Sequence, residues 1–305
     1  MDDGLIEATD DVLSRLEGDD DVAYAEVGGV ERDVADAVVT GDGVRSANDL
    51  AQTGVWWRAF VEGAADYRYT TSLDDDHLDD LIARSVRAAK LLNQSTPASY
   101  DRGTAHRATH PGWATDETAL GDRTADEKAG LVRSALRDSL ADLDLDRARS
   151  SYRDERVETA LLTTTGTSLT TTIHRASTET VVVPADGPKI RDHAGATTGG
   201  AFLDGIPDRF ADLGDRAREV AAADRTTLDD HGRSDVVFGP PAAGELVHQL
   251  AHYLEVDSAY FGSSPFEVGD RVAPSVLTVE DGVRAGSWAA RAYDAEGRPT
   301  QSATL

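Results

Sequence analysis

The sequence predicts an α+β fold: antiparallel sheets with packed helices in an N-terminal part, then a strand-rich C-terminal part that carries one distinctive helix. Three observations predict it. Runs with apolar residues at helical spacing recur at 5–17, 70–92, 122–143 and 208–223. Between them lie alternating stretches rich in Val, Thr and aromatic residues, such as VWWRAFVE at 55–62 and SLTTTIHRASTETVVV at 168–183. Glycine-marked turns separate these stretches, which favours hairpins over parallel crossovers.

The elements follow in order. LIEATDDVLSRLE at 5–17 forms a first helix, and DVAYAEV at 21–27 a first strand. The runs DVADAVVTGDG and GVRSANDLAQTG read as antiparallel strands with tight turns, and Val55 to Glu62 is the densest strand signal. Trp56 and Trp57 are expected in core and sheet surface. A Ser/Asp cap then opens a helix that runs to about Leu92, with His77 solvated in its acidic first turn. Residues 93–118 are polar and aperiodic, a linker in which His106 and His110 are weak ligand candidates because Pro111 opposes a helix. Thr124 and Glu127 form a capping-box pattern before a helix that reaches about Leu143. Strands follow, with His174 expected on a sheet surface, then the helix at 208–223 and a short apolar strand DVVF at 235–238. The domain reading is 1–95, 115–225 and 232–305.

Composition limits the function. The 305 residues carry a net charge of −26 and only three lysines, Lys90, Lys128 and Lys189. Acidic residues spread along the whole chain oppose binding to nucleic acid or an anionic membrane. They suit a salt-rich cytoplasm, where counterions screen the self-repulsion, so a halophilic cytoplasmic protein is the expectation. With no cysteine, disulfides and thiolate ligands are excluded within these residues. The start MDDGLIEATDD has neither a basic segment nor an apolar run, so no signal peptide is expected, and no apolar stretch approaches membrane-spanning length.

The chemistry concentrates in GPPAAGELVHQLAHYLEVD at 239–257. Pro240 and Pro241 suit a first helical turn, Glu245 complements the positive helix end, and Leu246, Val247, Leu250 and Leu254 make an apolar stripe expected to be buried. His248, His252 and Glu255, at i, i+4 and i+7, fall near one line of the other face. Two imidazoles one turn apart can hold one divalent metal. Gln249 stands where an H-E-x-x-H hydrolase keeps its base and has no proton-accepting carboxylate. Glu255 is the remaining candidate, as a third metal ligand, as a partner that fixes a ring tautomer, or as the catalytic base.

With those residues placed, the chain resembles the TldD/PmbA family of metalloproteases, also called modulators of DNA gyrase. The likeness runs through DVAYAEV and DEKAGLVRSAL and is most specific in GRSDVVFGPPAAGELVHQLAHYLEVD followed by SPFEVGDRVAPSVLTVEDG. Active members carry H-E-x-x-x-H followed by Leu-Glu and Asp. His252, Leu254, Glu255 and Asp257 match the second His and its trailing residues, while His248 stands one residue closer than the first. The family's cysteine ligand has no counterpart in the sequence. The resemblance implies a zinc-dependent peptidase acting on a peptide substrate, or an inactive member serving as one subunit of a homo- or heterodimer with a related chain. A plain binding protein is the third reading.

Overall fold

The computed structural model describes residues 3–92, 107–110, 123–185, 187–197, 199–224, 235–284 and 287–304. Two compact units emerge: residues 1–222 with 282–301, and residues 223–281 with 302–305.

The first unit is built on a seven-stranded sheet. β1 (Tyr24–Thr40) and β2 (Gly43–Val61) form a long hairpin, and β3 (Ala64–Thr70) extends it beyond β2. β5 (Leu145–Thr163) pairs antiparallel with β1, and β6 (Ser168–Pro184) pairs with β5. β7 (Ile190–Ala196) lies antiparallel on β6, and β4 (Arg107–His110) runs parallel to the start of β6. Segments 1–95 and 115–225 therefore contribute strands to one continuous sheet.

Strand alternation decides which face the helices cover. Ala25, Val27, Ala37 and Val39 of β1 are all buried and all point one way. At one end they pack with α1 (Asp3–Glu17) and α2 (Asp75–Leu92), through Leu5, Val12, Leu16, Leu78 and Ile82, around the fully buried Trp57. At the other end they meet α3 (Ala125–Ser139), α4 (Gly200–Asp204) and α5 (Ile206–Ala222), through Val132, Leu136, Leu203, Phe210 and Leu213. α3 starts where its sequence says: the Thr124 hydroxyl accepts from the Glu127 N–H, and the Glu127 carboxylate accepts from the Thr124 N–H at 2.8 Å.

Several expectations need correction. Residues 107–110 form a strand within the segment read as linker, whereas His106 and the side chain of His110 lie outside what the structure describes. His174 is buried, 6% exposed, on the helix-facing side of β6, because Lys128 and its neighbours roof that part of the sheet. His77 keeps an exposed place but meets the Thr70 hydroxyl at 3.2 Å.

In the second unit, residues 235–239 have no regular structure or strand pairing, so DVVF forms no strand. α6 (Pro240–Leu254) follows, then α7 (Val256–Tyr260). The strands expected beyond residue 264 shrink to the two-residue pair β8 (Glu280–Asp281) and β9 (Ala303–Thr304) and, in the first unit, a single bridge between Tyr293 and Pro299. Proline and glycine turns break the alternation there before a ladder can extend.

Candidate metal centre

Gly239 caps α6 in extended conformation and Pro240 and Pro241 occupy its first positions, where a missing N–H leaves no helical bond unmade. Glu245 lies past the first turn and does not serve the helix end. Its carboxylate accepts instead from the Gln249 amide at 3.0 Å. The stripe of Leu246, Val247, Leu250 and Leu254 is also a correction, since none of the α6 side chains is buried and Leu246 is 59% exposed. Tyr253 meets Phe266 edge-on at 6.5 Å.

The histidines do come together. The Nε2 atoms of His248 and His252 are 3.1 Å apart, with ring centroids at 4.4 Å and planes at 72°. This is the geometric result of a four-residue step on a helix, which stacks side chains one turn apart. Glu255 arrives differently from the expected i+7 helical position. Its backbone is extended, with φ −69 and ψ 146, and it ends α6 and caps α7 in one residue. From that corner its carboxylate reaches back to His252 Nδ1 at 3.3 Å. The Ser258 hydroxyl donates to the His252 carbonyl at 2.6 Å and fixes the corner.

Glu255 therefore meets the ring nitrogen opposite the one facing His248. A neutral His252 that donates Nδ1–H to Glu255 leaves its Nε2 as a lone pair directed at His248. Two imidazole nitrogens about 2.0–2.1 Å from a tetrahedral zinc are roughly 3.3 Å apart, so the 3.1 Å spacing suits two donors sharing one ion. It equally suits a ring-to-ring hydrogen bond when no ion is bound. Among the described residues no group of three or more His, Cys, Asp or Glu side chains is arranged to hold a metal. The donor set fits two coordination positions and leaves the others open.

A second polar centre had no signal in spacing or motif. On the helix-facing side of the sheet, Asp33, Asp49, Asp154, Arg156 and His174 surround Lys128 of α3 in a cavity of about 550 Å³. Lys128 and Asp154 form a buried ion pair at 2.8 Å. Burial and the Asp154 carboxylate hold the neighbouring Tyr152 hydroxyl far above the ordinary phenol range.

Residues 231–305 match the family model of the PmbA/TldA metallopeptidase C-terminal domain. A proposed modulator of DNA gyrase from Bacteroides thetaiotaomicron has a similar structure, with a TM-score of 0.78 at 16% identity over 99% of this chain and 69% of that one. A second proposed modulator, from Thermotoga maritima, gives 0.71 at 14% identity over 98% and 68%. TldE from Thermococcus kodakarensis gives 0.65 at 17% identity over 98% and 67%. No curated protein matches. The class is a chain with the fold of the DNA-gyrase modulators. Its C-terminal residues match the PmbA/TldA metallopeptidase domain, and the chain shares its fold with these solved structures.

Proposed function

We propose that this chain is a zinc-binding, metallopeptidase-type protein that takes part in peptide cleavage, with His248 and His252 as the two ligands it supplies. The observation that carries the reading is the convergence of their Nε2 atoms at 3.1 Å. Glu255 acts by holding the His252 ring, which leaves the third ligand and the proton acceptor to water, substrate or a related subunit. A bound zinc would supply Lewis-acid activation of a water. The chain's own part is to present two imidazoles on an exposed helix face in fixed orientation, with Gln249 turned aside to Glu245. Loss of a positioned base costs on the order of 10²–10⁴ in rate. Gln249 therefore favours a second reading, in which the chain is the non-catalytic partner of a related subunit.

The test is cleavage of short unstructured peptides followed by mass spectrometry, with added zinc, for the chain alone and mixed with a second TldD/PmbA-type subunit. Zinc-dependent cleavage that disappears in His252→Ala supports the first reading. Cleavage that needs the second subunit and survives His252→Ala establishes the partner reading. No cleavage in any mixture overturns both.

A further inference from the structure

On the face of the sheet opposite α1, α2, α3 and α5, residues 287–301 of the same unit lie against β5 and β6 and border a cavity of about 270 Å³. Its walls are largely apolar, from Trp56, Leu161, Leu169, Ile173 and the Ala290–Ala292 backbone, with two guanidinium groups, Arg175 and Arg291, among them. Small-ligand sites have this make-up: an apolar body with a few convergent polar groups.

The charge balance is unusual for this chain. Behind the cavity, Glu155 is shared by Arg32, by Arg153 at 3.4 Å and by Arg175 at 3.7 Å. Arg291 also lines the cavity, and Asp294 is the carboxylate among the lining residues. One oxygen of Asp294 already accepts the backbone N–H groups of Glu296 and Arg298, at 3.0 and 2.8 Å. Two guanidinium groups and one carboxylate thus line the cavity, in a protein of net charge −26.

Arg175 is the most buried of these arginines. Its side chain is only 13% exposed, it lies 5.5 Å over the Trp288 ring, and its buried Nε has no hydrogen-bond partner. Burial, then the charge of Arg291, hold this guanidinium below its ordinary value, and Glu155 only partly offsets them. A carboxylate against Arg175 would satisfy that donor and offset the repulsion from Arg291, and arginine's planar fork suits such a partner.

We propose that this cavity is a binding site for a carboxylate carried on an apolar body, with Arg175 and Arg291 as the anion seat and Trp56, Leu161 and Ile173 as the apolar wall. The peptide C-terminus of an apolar last residue and a free N-acyl amino acid share that chemistry. The site uses neither α6 nor a metal, so it stands or falls separately from the peptidase reading.

The test is titration of the whole metal-free chain with N-acetyl-L-leucine, followed by tryptophan fluorescence, since Trp56 and Trp288 border the site. N-acetyl-L-leucinamide is the uncharged control, and the tripeptide Ala-Ala-Leu with a free or amidated end distinguishes the two sources. Saturable binding of the acid, at least tenfold weaker for its amide and at least tenfold weaker in Arg175→Gln, is the expected result. Binding of the tripeptide acid at similar strength assigns the site to chain ends, and its failure assigns it to free acids. Equal binding of acid and amide, or no saturation by the acid at millimolar concentration, overturns the proposal. If Arg175→Gln fails to fold by circular dichroism, Arg291→Gln provides the same comparison from the exposed side of the seat.

Discussion

Lys128 of α3 meets Asp154 of β5 at 2.8 Å, with side chains only 3% and 8% exposed, and so ties the helical layer to the middle of the sheet by charge. The apolar clusters lie at the two ends of the sheet, and this pair sits in the polar gap between them. Removing one member of a buried pair strands the other charge in a low-dielectric site, at a typical cost of about 3–5 kcal/mol. Lys128→Met and Asp154→Leu should each lower stability by that order in urea unfolding. The double variant should lose clearly less than the sum. Additive losses would mean that the pair is not coupled.

Glu155 gives a pH dependence of definite sign. Burial pushes its carboxyl up, but the hydrogen bond and charge of Arg32, with Arg153, outweigh that and hold it below its ordinary value of 4.5. The unfolded chain then binds the proton more readily, so this group's stabilisation is present above pH 4.5 and fades as the pH falls through the folded value. Wild type should unfold at higher urea than Glu155→Gln at pH 6. The gap should narrow on acidification from pH 4.5 towards pH 3. A gap that widens contradicts the assignment.

Gly28 of β1 is set by contact rather than by backbone angle. A Cβ there would fall within the indole of Trp56, which stacks on Tyr67 at 5.9 Å. Gly28→Ala should cost about 1–3 kcal/mol, typical of overpacking, and should shift the tryptophan emission as the ring moves. Unchanged stability and emission would show that Trp56 has room to give.

The charge excess predicts a salt response. At −26, self-repulsion should fall as the screening length shrinks from about 10 Å at 0.1 M salt to about 3 Å at 1 M. The thermal midpoint should rise across that range of KCl. A falling midpoint would show that attractive ion pairs such as Arg15 with Asp75 and Asp79 dominate instead.

What the sequence made legible followed from local rules. The capping box at Thr124 and Glu127, the alternation through Val55–Val61 and the helical spacing of α1, α2 and α5 each need only neighbouring residues to read, and each is present. His248 and His252 share a helix face for the same reason. Glu255 was placed by helical periodicity, which stops applying one residue earlier, where the chain turns into α7. Apolar spacing on α6 marks a stripe but not what covers it: Leu246 is exposed and Val247, Leu250 and Leu254 are only half-buried. Lys128, Asp154 and His174 come together only through sheet register and helix docking, as do Arg175 and Arg291, so no linear pattern marked them.

If His248 and His252 form one metal seat, zinc titration by calorimetry at pH 7.5 should show it. One zinc should bind per chain, at least tenfold more weakly in either His248→Ala or His252→Ala. In Glu255→Gln, with both ligands kept and their support lost, affinity should fall about 10–100-fold. Zinc uptake by both alanine variants with wild-type stoichiometry and affinity would contradict it.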